Sequence, residues 1–327
     1  MTESPSIPNK PVVTAVIVVY RSAQCILDCL ASLEPHVREG LLEVVVVDNA
    51  SPDDSAERVR ANCPWARIVV SDRNRGFAGG VNLGLRAAKG DYFLLLNPDA
   101  LMRSGTLPGL LEYLKSHSRV AVAAPRVVRR SGEVEVSTGT RPTFGRQAIE
   151  AFGLFLFGRW VPALRLTGLP PVLDGPVAVD VVVGCCMMIP RWAIEKIGEL
   201  DENYFMYLEE IDWCVMAREA GFEVHYVPQF DVIHDRGQGG ANLSLTPIDG
   251  ERGLDYFFDK HHEPYSKAGL RWIRRFHYLS RSAWLTVRRI QRRPGADLEA
   301  KRHWRSFVQS FRPAPIESHA GSGDRRE

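Results

Sequence analysis

Four short apolar runs in the first hundred residues constrain this chain more than anything else in it. They are residues 12–20 (VVTAVIVVY), 42–47 (LEVVVV), 66–70 (ARIVV) and 92–96 (YFLLL). Each is too short for a helix and rich in β-branched residues or leucine, which is how strands buried on both faces read. Between the first two, Ile26, Leu27, Leu30 and Leu33 fall at helical spacing, so residues 23–33 are predicted as a crossover helix. Residues 81–88 are predicted as another, starting directly after a run of glycines. A β-α-β-α-β order predicts a doubly wound, mainly parallel sheet with helices on both faces. Further along, residues 107–115 and 191–197 read as helices, and 120–124 and 223–228 as strands. Residues 177–189 include a strand that breaks at Gly184-Cys185-Cys186.

In such sheets ligands bind beyond the carboxyl ends of the strands. The fourth run stops at Asn97-Pro98-Asp99, because Pro98 has no N–H for the ladder. Asp99, next to an amide and with no adjacent cation, can hold a divalent metal through oxygen; ordinary turn chemistry explains the same three residues. Asp48 ends the second run. It can accept a hydrogen bond from a uracil or thymine ring N–H, or simply cap the helix that follows. Arg75-Gly76-Phe77-Ala78-Gly79-Gly80-Val81-Asn82 is a glycine-rich loop running into a helix start, which suits a diphosphate. It matches neither G-x-G-x-x-G nor a Walker A loop. A loop that needs positive φ angles is the other reading.

Residues 128–178 carry five prolines and an aromatic patch at 152–160, and are expected to form a variable loop with short helices near an acceptor; Arg141 there can bind phosphate or sugar, or face solvent. After them comes Phe205-Met206-Tyr207-Leu208-Glu209-Glu210-Ile211-Asp212-Trp213. Its three carboxylates predict the start of a helix facing a cleft, with Glu209 and Asp212 on one face and Glu210 turned by about 100°. A solvated acidic first turn would complement the helix dipole equally well. His234 can complete a metal site with Asp99, although a single histidine is as readily structural.

With 45% hydrophobic and 24% charged residues the chain has the composition of a soluble globular protein, and a net charge of +2 argues against a general nucleic-acid binder. The six cysteines show neither metal-ligand spacing nor disulfide density, so reduced thiols and a cytoplasmic setting are expected. Residues 1–10 are polar and disordered by composition, not a signal peptide. No apolar run approaches the roughly 18 residues that span a bilayer. From Lys267 to Arg293 there is no Asp or Glu. Lys267, Arg271, Arg274, Arg275, Arg281, Arg288, Arg289, Arg292 and Arg293 interleave with Trp272, Ile273, Phe276, Leu279 and Trp284. That pattern predicts a basic amphipathic helix suited to an anionic membrane surface, with RNA or plain solvent as alternatives. The expected domains are therefore residues 11–265, a basic helical segment at 266–312, and a disordered tail at 313–327.

Taken in order, Ile17-Val18-Val19-Tyr20, Val47-Asp48-Asn49-Ala50-Ser51, the loop from Asn74 to Asn82, Asn97-Pro98-Asp99, Gly184-Cys185-Cys186-Met187 and Phe205 to Asp212 with His234 downstream resemble the family 2 inverting glycosyltransferases of GT-A (Rossmann-like) fold. The similarity is strongest to the rhamnosyltransferase-like branch and covers about residues 12–265. The resemblance implies a role for Asp48 in reading a pyrimidine. It implies a nucleotide-sugar site at Tyr20, Arg75, Gly79, Gly80, Asn82 and Asn97. Asn97-Pro98-Asp99 matches the family's D-x-D motif with Asn97 replacing the first Asp, which leaves Asp99, with His234, to hold Mg²⁺ or Mn²⁺. Glu209-Glu210 matches a Glu-Asp pair, with Glu210 at the position of the base; Asp212 is grouped with them as catalytic. The implied donor is dTDP-rhamnose or a UDP-sugar, and the implied acceptor a saccharide, lipid-linked or free, in cell-envelope polysaccharide synthesis. A sugar-phosphate nucleotidyltransferase is an alternative, but its glycine-rich loop should follow the first strand, where this chain has Tyr20-Arg21-Ser22. A non-catalytic nucleotide-binding scaffold is the other.

Overall fold

Alternation within each apolar run places successive side chains on opposite sides of one sheet. The structure, a computed structural model, describes residues 11–154, 175–234, 247–262 and 264–290. The strands are β1 (Val13–Val19), β2 (Leu42–Asp48), β3 (Arg67–Val70), β4 (Tyr92–Leu96), β5 (Ala100–Met102), β6 (Val120–Val128), β7 (Val134–Glu135), β8 (Thr138–Gly139), β9 (Val177–Ala178), β10 (Val181–Val182), β11 (Cys186–Pro190) and β12 (Glu223–His234). The helices are α1 (Ile26–Arg38), α2 (Ser55–Asn62), α3 (Gly76–Ala87), α4 (Thr106–Ser116), α5 (Phe144–Ala151), α6 (Arg191–Ile197), α7 (Glu209–Glu219), α8 (Pro247–Lys260) and α9 (Lys267–Ile290).

The main sheet runs β3-β2-β1-β4-β11-β6-β12-β5. β1 pairs in parallel with β2 and β4, β2 with β3, and β6 with β12. Only β11 and β5 run against the other strands of this order. Val13, Ala15, Ile17 and Val19 pack with Ile26, Leu30 and Leu33 of α1 and Leu107 and Leu110 of α4. Val16 and Val18 pack on the opposite face, with Val81 and Leu85 of α3, Trp213 of α7, Phe257 and Phe258 of α8, and Leu270 of α9. The expected mixed, mainly parallel sheet with helices on both faces is the observed one. Each fully buried Val, Leu or Phe contributes about 1.5–3 kcal/mol, so both helical layers stabilise the sheet.

Three boundaries differ from the sequence reading in ways that matter for the site. α3 begins at Gly76, not at residue 81, so Gly79 and Gly80 lie inside a helix. β12 does not stop at residue 228 but runs on to His234, with register irregularities between Val227 and Asp231 that absorb Pro228. α9 is not a detached basic tail: Leu270 is wholly buried in the core, and Ile273 nearly so. Within residues 128–178, α5 is an ordered helix and β8 pairs with β10 just beyond; residues 155–174, 291–312 and 313–327, like 1–10, lie outside the described residues. Among the described residues no helix is long and apolar enough to cross a membrane.

Candidate functional site

β1 and β4 are neighbours, and a cleft of about 430 Å³ opens beyond their carboxyl ends. Val18, Tyr20 and Ser22 line it from the end of β1, and Asn97, Pro98 and Asp99 from the end of β4. Asn49, Asn74, Gly76 and Phe77 form one end. Gly184, Cys185, Met206, Tyr207, Glu209 and Glu210 form the other, and His234 closes the wall beside Asp99. The two strand ends, the acidic pair and the distant histidine are thus brought into one cavity.

The chain turns back at Pro98, and β5 pairs antiparallel with the last residues of β12, Ala100 opposite His234. That register sets His234 Nε2 3.2 Å from Asp99 Oδ1, with both side chains at least nine-tenths buried. A carboxylate and an imidazole at one point on a cleft wall form a mixed oxygen and nitrogen donor set. Among the described residues no third His, Cys, Asp or Glu joins them.

Glu209 and Glu210 open α7 straight after a left-handed turn, Tyr207 at φ 69° and Leu208 at φ 77°. Oε2 of each is buried without a hydrogen-bond partner. Buried polar atoms are nearly always paired, so two orphans on neighbouring residues that line one cleft mark a place that expects a ligand. Burial pushes both carboxyls above the usual range. Glu209, with the charge of Glu210 beside it, goes well above. The N–H groups of Glu210, Gly184 and Ile211 pull Glu210 part of the way back. Two neighbouring buried carboxyls do not ionise together, so the pair keeps a proton above the usual carboxylate range. Residue 184 is glycine for a local reason: a methyl there would stand 3.2 Å from Glu210 Cγ.

Other residues singled out from the sequence lie off the cleft. Asp212 is wholly buried and does not line it; Tyr204 Oη, Lys260 Nζ and His261 Nε2 surround its carboxylate at 2.8–3.0 Å. The shared face expected for Glu209 and Asp212 fails because α7 starts at Glu209, whose side chain turns to the cleft while Asp212 turns to α8. Asp48 Oδ1 accepts the Ser51 N–H at 2.9 Å and closes a turn. The Arg75 guanidinium reaches Asp72 and Ser71. Gly79 and Gly80 do not form an open nest: a methyl on Gly80 would come within 2.6 Å of Val18 Cγ1, so this glycine seats α3 on β1. Asn82 exchanges hydrogen bonds with the Leu200 backbone, 2.8 and 3.1 Å, and ties α3 to the loop before α7.

Asn49 and Asn74 were quoted in the sequence motifs without a role, and the structure supplies one. Asn49 Nδ2 donates to Asn74 Oδ1 and Gly76 O, and Asn49 Oδ1 accepts from Arg75 N. Gly76, at φ 73°, lies so close to Phe205 that a methyl would fall 2.1 Å from its carbonyl oxygen, and Phe77 N donates to that oxygen. The two ends of the cleft are joined there. Only the asparagine-glycine spacing hinted at this in the sequence.

The model of the family described as glycosyl transferase family 2 matches residues 14–198, more than half of the chain. The chain belongs to that family. Within this glycosyltransferase family it falls in a rhamnosyltransferase-like branch. The N-acetylglucosaminyl-diphospho-decaprenol L-rhamnosyltransferase of Mycobacterium tuberculosis is 27% identical over 299 residues, 86% of this chain and 96% of that one. A dTDP-rhamnosyl transferase of Shigella flexneri is 22% identical over 234 residues, 70% of this chain and 71% of the other. A solved mannosyltransferase of Pyrobaculum calidifontis, in complex with GDP-Man and Mn²⁺, superposes with a TM-score of 0.56 at 16% identity, covering 94% of this chain and 89% of its own. That likeness shows the shared GT-A fold.

Proposed function

We propose that the cleft moves rhamnose from dTDP-rhamnose, or another sugar from a UDP donor, onto a hydroxyl of a lipid-linked saccharide, with inversion at the anomeric carbon. The observation that carries this reading is one cavity with two chemistries on its walls: Asp99 with His234, and Glu209 with Glu210. The first suits a diphosphate with its cation, the second a hydroxyl nucleophile.

Asp99 and His234 fit a divalent metal. They would hold it, and the donor's diphosphate would have to supply further oxygen donors. The imidazole favours Mn²⁺ over Mg²⁺, which prefers oxygen alone. When bound, the cation offsets the charge that builds on the departing diphosphate. In the proposed reaction Glu210 accepts the acceptor's hydroxyl proton as that oxygen bonds to the anomeric carbon and the bond to the diphosphate oxygen breaks. Glu209, beside it, orients a substrate hydroxyl. The apolar wall of Val18, Val183 and Met206 keeps out the water that would hydrolyse the donor. Of the donor-site residues the resemblance implies, Tyr20 and Asn97 face the nucleotide-sugar directly, and Asn82, Gly79 and Gly80 support it by holding α3. Asp48 and Arg75, just off the cleft, would reach the pyrimidine base and the diphosphate from beside it.

The acceptor class is taken from the mycobacterial relative, whose name specifies a sugar on a lipid diphosphate. It fits α9, where Trp272, Phe276 and Leu279 recur on one face and remain 44–68% exposed, beside exposed Arg271. Such a face suits an anionic bilayer. The protein would then work as a peripheral enzyme at the inner face of the plasma membrane, in cell-envelope polysaccharide synthesis. A donor panel tests the reading: dTDP-rhamnose, UDP-sugars and GDP-mannose, with and without Mn²⁺, scored for nucleotide release dependent on an N-acetylglucosaminyl-diphospho-lipid. Metal-dependent release from dTDP-rhamnose is expected. Release from none of the panel at any metal concentration contradicts the proposal.

A further inference from the structure

The turn before Glu209 is the most constrained backbone at the acceptor end of the cleft. Tyr207 and Leu208 both hold left-handed φ values, which are strained for a residue with a side chain. Such a turn persists only where its surroundings over-determine it, and α8 supplies them. A methyl on Gly253 of α8 would lie 3.1 Å from Leu208 Cδ1 and 3.7 Å from the Tyr207 carbonyl oxygen, so helix and turn are in close contact.

The end of α8 then grips both sides of the turn. Lys260 Nζ donates to Asp212 Oδ2 at 2.8 Å and to Asp201 Oδ2 at 2.7 Å. His261 Nε2 lies 2.8 Å from Asp212 Oδ1, and Tyr204 Oη donates to the same oxygen at 3.0 Å. Asp201 and Tyr204 precede the turn and Asp212 follows it. None of these residues lines the cleft, and all of them lie beyond the segment matched by the family model.

We infer that Asp212, Lys260, His261 and Tyr204 form a clamp of positioning residues that holds the Tyr207–Leu208 turn and so sets the reach of Glu209 and Glu210 into the cleft. The inference rests on the reading of Glu210 as the base. Its physical basis is geometric: the carboxylates follow the turn directly, and a shift of about 1 Å in a reacting group can cost 100-fold in rate. Charge reinforces it. Asp212 has no exposure, so removing the Lys260 ammonium leaves a buried carboxylate under-compensated and loosens the hold of α8 on α7.

The test compares Lys260→Met, Lys260→Arg, Tyr204→Phe and Glu210→Gln in the full-length protein, with thermal unfolding, dTDP binding and sugar transfer measured for each below the lowest Tm. Tyr204→Phe removes one hydroxyl from Asp212 and keeps the core shape, so it stands in if Lys260→Met does not fold. The expected split is a kcat lowered about 10- to 100-fold in Lys260→Met and several-fold in Tyr204→Phe, with dTDP affinity within about two-fold of wild type. Lys260→Arg should regain most of the lost rate. Wild-type kcat in folded Lys260→Met, or in folded Tyr204→Phe where the methionine variant does not fold, overturns the clamp. So does a loss of kcat matched by an equal loss of dTDP binding. A dead Glu210→Gln beside a fully active Lys260→Met sinks the clamp alone. Full activity of Glu210→Gln sinks the base and the clamp together.

Discussion

At the scale of single residues, the proposed transfer depends on which oxygen atoms can accept a proton or a metal. Asp99 lies 3.2 Å from His234 on the cleft wall. Replacing it by alanine should cut transfer at limiting Mn²⁺ by at least about 100-fold, with Tm close to wild type, since the turn before β5 keeps its backbone. Activity of Asp99→Ala within a few-fold of wild type rules out this role. Glu210→Gln should lose about 10²–10⁴-fold in kcat, because the amide cannot take a proton, and Glu209→Gln should be milder. Donor Kd should be similar in both. The reverse ranking moves the base to Glu209. Both carboxyls are raised by burial, and this has a sign for stability as well as rate. A group with a raised folded pKa binds protons more tightly folded than unfolded, so stability falls as pH climbs from the ordinary carboxylate value of about 4.3 toward the folded one. Glu209→Gln should therefore melt above wild type at neutral pH and lose that advantage as pH approaches 4. A gain that persists at pH 4 would point to packing instead. The acid limb of kcat/KM should likewise lie above the range of an ordinary glutamate, rate falling as Glu210 takes up its proton.

At the scale of elements, the strand core was legible because its signal is local. Residues 92–96 form β4 as read, and α6 spans the residues expected. The start of α3 was misread because glycine has poor helix propensity, about 1 kcal/mol below alanine. Here close packing on Val18 and Val16 demands glycine within the helix. The same logic predicts that Gly76→Ala, at φ 73° against Phe205, destabilises by more than about 1 kcal/mol and uncouples the two ends of the cleft. Denaturant unfolding would show it, and an unchanged midpoint would refute it. Asp212 was misplaced for a different reason. Its partners Lys260 and His261 lie 48 and 49 residues away, beyond any periodicity. α9 was read as basic and amphipathic, but its anchorage through Leu270 is invisible in composition. Deleting it would open the core, so the membrane reading is better tested by Trp272→Ser, Phe276→Ser and Leu279→Ser together. The triple variant should lose about ten-fold or more in sedimentation with phosphatidylglycerol vesicles while keeping transfer to a soluble acceptor. Equal vesicle binding would remove the membrane from the account.

At the scale of the molecule, a parallel half-sheet supplies a ligand crevice at the end of β1 and β4, and the antiparallel turn of β5 on β12 brings a histidine from more than a hundred residues away to complete one wall. The order of motifs was enough to read family and fold. It was not enough to separate residues that face the cleft from those that hold it, such as Asn82 and Asp212. The central claim is that one carboxylate deprotonates the acceptor while the diphosphate leaves from the opposite side of the sugar. The anomeric configuration of the product tests that most directly. Transfer from dTDP-rhamnose to an N-acetylglucosaminyl-diphospho-lipid analogue, followed by NMR of the new linkage, should give the anomer opposite to the donor. Retention of the donor's configuration would contradict a single displacement and, with it, the role given to Glu210.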